Sequence, residues 1–191
     1  SYSVTSQQSS NSSPTLSGLT AKTVAENATA AAIDSDVTFA DSDGGNLNTG
    51  TVTVSGLDGQ DVVSLPTSVS HSSGAIQRDS NNVQVSDGSS WTTIGTVGTG
   101  SATTGSGETL VITFSSDSAT PAVVDTLLQA LTFYNNDDTP TTSRTLSITV
   151  PSMLVQAERK AAVKKLSSRL KLPGFRSGKI PAALVEKRFG P

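Results

Sequence analysis

From Ala21 to Val150 the chain repeats one device. Three to five residues alternate between apolar and polar, and then a cluster of Gly, Asn, Asp or Ser breaks the run. Alternation with a period of two places every second side chain on one face of an extended strand. Val37–Phe39, Thr51–Val54, Val62–Leu65, Val83–Val85, Trp91–Ile94, Leu110–Phe114, Leu131–Tyr134 and Leu146–Val150 fit this pattern. The breaks are DSDGGN at 41–46, GLDGQD at 56–61, RDSNN at 78–82, DGSS at 87–90 and NNDD at 135–138. Short strands joined by turns, with few helices between them, predict a mainly β protein built as an antiparallel β-sandwich. Aromatic residues make up 4% of the chain, so its core must come from Val, Leu, Ile and Ala.

One helix interrupts the strands. In SATPAVVDTLLQALTF, Pro121 suits a first helical turn, and Val124, Leu127, Leu128 and Leu131 follow helical spacing. Two to three turns covering one end of the sandwich are expected. Residues 1–18 are Ser-rich and polar, which predicts a disordered linker.

The character changes after Val150. Ser152 can cap a helix, and MLVQAERKAAVKKLSSRL carries Val155, Ala162, Val163, Leu166 and Leu170 along one side. Arg159, Lys160, Lys164 and Arg169 lie mostly elsewhere around it. Pro173 and Gly174 end this helix, the loop GFRSGK follows, and Pro181 opens a second short helix. Residues 151–191 therefore predict a basic C-terminal α-helical hairpin. Charge divides at the same place. Residues 1–150 hold three basic against fourteen acidic side chains, a net of −11; residues 151–191 hold ten against two, a net of +8. Two parts so different in charge suit different partners.

Several chemistries have little footing. There is no Cys, which excludes disulfides and thiolate metal sites. No stretch approaches the roughly 20 apolar residues that cross a bilayer. The single His71 could be written into a Ser/His/Asp triad, but Ser and Asp are so abundant that such a drawing carries no weight without geometry. The Gly-rich run at 95–108 lacks a following Lys, and Gly174–Lys179 is one residue short of a phosphate-cradling loop. A non-enzymatic protein is expected.

Two readings stand for the acidic loops. Glu26-Asn27, Asp34, Asp36, Asp41, Asp43 and Asn136 to Asp138 supply the oxygen ligands that Ca2+ takes. The same residue types are also ordinary turn formers.

Two resemblances emerge. TVAENATAAAIDSDVTFADSDGG, with the later ALTFYN, D-x-P and RTLSITV stretches, resembles the cadherin-like repeats of large bacterial surface and secreted adhesins. This covers about residues 19–150. It implies an extracellular structural or adhesive module that meets neighbouring repeats or a cell-surface ligand, with Ca2+ as cofactor. By position Glu26, Asp41 and Asp43 would be the ligands. The acidic run that normally supports the next repeat is replaced here by Pro151.

LPGFRSGKIPAALVEKRFG resembles the ribosome-docking segment of trigger factor, a bacterial chaperone. Gly174, Phe175, Arg176, Gly178, Lys179 and Pro181 carry the likeness, which covers about residues 146–190. It implies a ribosome-binding loop whose partner is the RNA and protein of the exit-tunnel rim, and a cytoplasmic setting. Phe175, Arg176 and Lys179 would make the contacts, and Gly174 and Gly178 would let the loop bend. Ser177 stands where some relatives have a third basic residue. The remainder of that chaperone does not follow, so prolyl isomerase activity is not expected. The alternative function is thus a fragment of a ribosome-associated chaperone fused to an unrelated β-domain. The two patterns overlap at SITV, and a chimera joined there is expected.

Overall fold

A computed structural model describes residues 14–25, 27–42, 44–98, 109–139, 143 and 145–150. The chain divides into two units, Ser1–Pro151 and Ser152–Pro191. All the described residues belong to the first.

They form eleven strands and one helix. The strands are β1 (Thr15–Ser17), β2 (Ala31–Ala32), β3 (Thr38–Ala40), β4 (Thr51–Ser55), β5 (Asp61–Ser64), β6 (Ser73–Asp79), β7 (Asn82–Asp87), β8 (Trp91–Val97), β9 (Leu110–Phe114), β10 (Thr132–Asn135) and β11 (Ser147–Thr149). The helix, α1 (Pro121–Ala130), lies between β9 and β10. The protein is mainly β and antiparallel, as expected. Its strands fall into three open sheets. One pairs β1 with β3, one runs β2-β10-β5, and one runs β11-β4-β9-β8-β7-β6.

Burial follows the alternation. In β4 only Val52 and Val54 are fully inside; in β9 Leu110, Ile112 and Phe114 are. These two strands pair in register, Val52 opposite Ile112 and Val54 opposite Leu110. Ile76, Val83, Ile94 and Val97 extend the core along the large sheet, and Val62, Val63 and Leu65 add to it from the segment of β5. The alternation fails in β5, where Asp61, Val62 and Val63 are all buried, and in β8 at Ile94 and Gly95, which are both buried. Thr93 faces Gln84 and Gly95 faces Val83, so Ile94 is an extra residue on β8. This bulge turns two consecutive residues inward. Gly95 is required there, because any Cβ would come within 3.0 Å of the Thr113 carbonyl oxygen on β9.

Helix α1 starts as the sequence predicts. Thr120 caps it, its hydroxyl accepting the Val123 N–H, and Pro121 occupies the first turn. Val124, Leu127 and Leu128 are buried. Two polar residues of the helix bind β3 and the residue just before it. Asp125 accepts the Phe39 N–H at 2.6 Å, and Gln129 donates to the Val37 carbonyl at 3.0 Å. The helix thus satisfies strand groups that another strand would otherwise have to meet.

Three elements differ from expectation. β1 lies inside the stretch read as a linker and pairs Leu16 with Phe39. Three residues in a Ser-rich run carry no periodic signal. β2 is only Ala31–Ala32. β6 spans seven residues but buries one large side chain, Ile76, because its register shifts between Ser73 and Ile76. The predicted C-terminal hairpin, 151–191, lies outside the described residues.

Candidate functional site

The acidic loops carry the residue types that make them metal candidates. Of the three expected ligands, Asp41 is described and half-buried at the end of β3. Its main-chain carbonyl accepts the Gly44 N–H at 3.3 Å, which makes a tight turn. Glu26 and Asp43 lie outside the described residues. Among the described residues no group of three or more His, Asp or Glu side chains is placed to hold a metal.

The other acidic positions have identifiable work. Asp34 is buried. One of its oxygens accepts the Thr20 N–H at 2.8 Å and the Thr20 hydroxyl at 3.1 Å; the other accepts the Asp36 N–H at 3.2 Å. The Asp36 side chain also hydrogen-bonds it, and these donors hold the Asp34 carboxyl well below its ordinary range. Asp36 moves the other way, raised by sharing that bond and by the Asp34 charge beside it. This is a carboxyl pair in which one member keeps its charge at the other's expense.

Sequence separation concealed two further meetings. Asn27 donates to the Asp138 carboxylate at 3.1 Å across 111 residues. Asn27 and the late N-N-D-D loop are therefore adjacent. Asp61 and Asn135, counted as turn residues, face each other across β5 and β10. The Asp61 carboxylate is fully buried. It accepts the Asn135 amide at 2.8 Å and the Asp58 N–H at 2.7 Å. A buried charge needs such donors.

His71 does meet a serine. Its Nδ1 lies 3.2 Å from the Ser86 hydroxyl, and its ring centroid lies 4.8 Å from that of Trp91, tilted by 41°. Ser86 is buried, however, and its oxygen also accepts the Gly88 N–H at 3.0 Å. The neighbouring Asp87 carboxylate accepts the Ser89 and Ser90 N–H groups at 2.8 Å each, which lowers its pKa. In a nucleophilic triad the carboxylate orients the imidazole and the hydroxyl faces substrate. Here both groups tie down the β7–β8 turn.

The last described element is β11. It pairs only with β4, matching Ser147 with Ser55, Ile148 with Val54 and Thr149 with Thr53. Ser147 and Thr149 are exposed and Ile148 is half-buried. Just before it the chain crosses Gly56, which sits at φ +85°. A Cβ on Gly56 would lie within 3.0 Å of the Thr145 carbonyl oxygen. Backbone therefore packs on backbone at the point where the β-domain gives way to the basic segment.

Comparison with known proteins falls on that same junction. Residues 134–191 match the family described as bacterial trigger factor protein. The trigger factor of Gluconobacter oxydans is 47% identical over 47 residues, which is 25% of this chain and 11% of that protein. That of Thermodesulfovibrio yellowstonii is 41% identical over 49 residues, 26% of this chain and 12% of the relative. That of Akkermansia muciniphila is 40% identical over 55 residues, 29% and 13% respectively. The chain thus spans about a tenth of the length of the curated relatives it matches. No solved structure matches.

The match begins inside the described unit. It takes in Tyr134 and Asn135 of β10 and the whole of β11. Gly174, Phe175, Arg176, Gly178 and Lys179 fall within it and outside the described residues.

Proposed function

We propose that the chain carries a ribosome-docking segment, residues 134–191, on a mainly β domain. The match of that segment to the trigger factor family carries the proposal. Of the two functions set out above, the chaperone fragment fused to an unrelated β-domain is the better supported. The adhesive, calcium-binding reading draws no support from the relatives named.

The residues make chemical sense of docking. Arg176 offers a planar fork that binds phosphate or carboxylate through two bonds at once. Lys179 adds a point charge three positions on. Phe175 provides an apolar or stacking anchor beside them. Gly174 and Gly178 would permit a sharp bend between the two helices that the sequence predicts. A net charge of +8 over residues 151–191 suits a surface of ribosomal RNA and protein. This function places the chain in the cytoplasm, and it needs no catalysis.

Cosedimentation of the full chain with 50S subunits tests it. Wild type should pellet, and the double variant Arg176→Ala plus Lys179→Ala should pellet several-fold less. Raising salt should weaken wild type more steeply than the variant, since two phosphate contacts are gone. Equal pelleting of both proteins at every salt concentration would defeat the proposal.

A further inference from the structure

Strands β6, β7 and β8 present two rows of side chains on the face of the large sheet that points away from the core. Register partners share a face. Gln77 lies opposite Gln84, and Gln84 opposite Thr93. Two residues further along β7, Ser86 lies opposite Trp91. Ile76, Val83 and Ile94 take the other face and are buried in the core. Rows two residues apart on a strand are separated by about 7 Å, and neighbouring strands by about 5 Å. The segment between β5 and β6 borders these rows. Its Val69 N–H donates to Gln77 Oε1 at 3.4 Å. Its His71 ring stands 4.8 Å from Trp91, with Nδ1 3.2 Å from the Ser86 hydroxyl.

These bonds fix the floor and leave specific groups unused. Gln77 engages both ends of its amide, Oε1 with Val69 and Nε2 with Gln84 Oε1 at 3.0 Å. The Gln84 amide is thereby oriented, and its Nε2 has no partner among the described residues. The same holds for Trp91 Nε1 and the Thr93 hydroxyl. None of the three is a buried atom, so all are open to solvent. Trp91, the one tryptophan of the chain, is only half-buried, and Thr93 is exposed. The two rows contain no Asp, Glu, Lys or Arg.

We propose that this face binds a neutral carbohydrate chain. A sugar ring has an apolar face of C–H groups, whose slight positive charge suits the negative face of an aromatic ring. Trp91 supplies that platform, held at a fixed tilt by His71. The ring's hydroxyls both donate and accept, which matches Gln84 Nε2 and Trp91 Nε1 as donors and the Thr93 hydroxyl as either. An apolar platform with a few oriented polar groups is the general form of a small-molecule site. Charge selects against the other ligands that stack on tryptophan. Residues 1–150 carry a net charge of −11, and the rows offer no cation to a phosphate. The site lies wholly within the β-domain and is independent of the docking function proposed above.

Affinity electrophoresis of the full chain tests it, in native gels containing hydroxyethylcellulose, galactomannan or arabinoxylan, all neutral polymers. Wild type should be retarded in at least one of them relative to a blank gel. In that gel Trp91→Ala should lose at least tenfold in apparent affinity, and Gln84→Ala plus Thr93→Ala several-fold. Thr92→Ala is the control: Thr92 is exposed and adjacent to Trp91, but it pairs with Val85 on the opposite face. It should migrate as wild type does. Should Trp91→Ala not fold, the Gln84 and Thr93 double variant decides. Fluorescence of Trp91 should also shift saturably with oligosaccharides of the retarding polymer. No retardation of wild type in any of the three gels would overturn the proposal. So would equal retardation of wild type and the double variant. A fluorescence response to adenosine or uridine with none to the oligosaccharides would overturn it in favour of a base-stacking site.

Discussion

Replacing Gly56 by Ala probes the β4–β11 junction with one methyl group. Two penalties follow from its position. Gly56 has φ +85°, where an L-residue is disfavoured by roughly 1–2 kcal/mol. The new Cβ would also fall within 3.0 Å of the Thr145 carbonyl oxygen, and both the oxygen and its carrier are backbone. No side chain can rotate to relieve that overlap. Residues 145–149 must move off β4 instead. Three residue pairs are then lost. Main-chain hydrogen bonds contribute about 1 kcal/mol net apiece, so detachment costs on the order of 2–3 kcal/mol. The total expected loss is about 4 kcal/mol. Urea unfolding followed through Trp91, the one tryptophan, measures it. Gly59→Ala is the control, because nothing lies within 4 Å of its added Cβ and its φ is ordinary. That variant should be neutral or slightly stabilised. The detachment has its own signature, since the amides of residues 147–149 should lose protection while those of β9 keep theirs. A loss under about 1 kcal/mol, with 147–149 as protected as in wild type, would refute the reasoning.

Three further outcomes follow from the polar contacts and the core. Asn135→Ala removes a 2.8 Å donor from the fully buried Asp61 carboxylate, and urea unfolding should show a loss of about 2–3 kcal/mol, as for a hydrogen bond to a charged group. Asp36→Asn should raise the melting temperature at pH 7. The raised Asp36 pKa means the folded state holds a proton that the unfolded chain releases above about pH 3.8, so stability falls as pH climbs through that window. The gain should vanish below the ordinary Asp range, and a melting series from pH 2.5 to 7 that shows no convergence would contradict it. Asp34 has the opposite sign, its depressed pKa adding stability above pH 3.8 that is lost as acid protonates it. Leu127→Ala, at a fully buried position on α1, should cost about 2–5 kcal/mol in the same urea assay.

Most of the strands were legible because burial on one face imposes a period of two. β4 and β9 keep that period without interruption, and their limits were nearly right. α1 was legible through Pro121 and the spacing of Val124, Leu127 and Leu128. β6 was not, because a register shift separates Ser73 from Ile76 and leaves one large buried side chain in seven residues. The inward turn of both Ile94 and Gly95 likewise came from a bulge, which no local alternation announces. Asp61 and Asn135 were misread for a chemical reason. Asp and Asn signal turns when exposed, but here each is the other's buried partner across two strands. Nothing local to either residue encodes that. Among the expected site residues, Asp41 is a turn-former at the end of β3. The contact of Asn27 with Asp138 needed the fold to bring distant loops together.

The residues SITV read as a strand in either of two contexts, and their chemistry explains why. Committing a strand to one sheet requires side chains that only that sheet can bury. β11 has a single apolar residue, Ile148, and it is half-buried. Its flanking Ser147 and Thr149 are exposed and would serve equally on another edge. β10 is the contrast. Asn135 cannot leave β5 without taking a 2.8 Å donor from the buried Asp61 carboxylate, so the same family match is fixed at one end and loosely held at the next. Weak side-chain commitment with a complete backbone ladder is what an exchangeable strand requires.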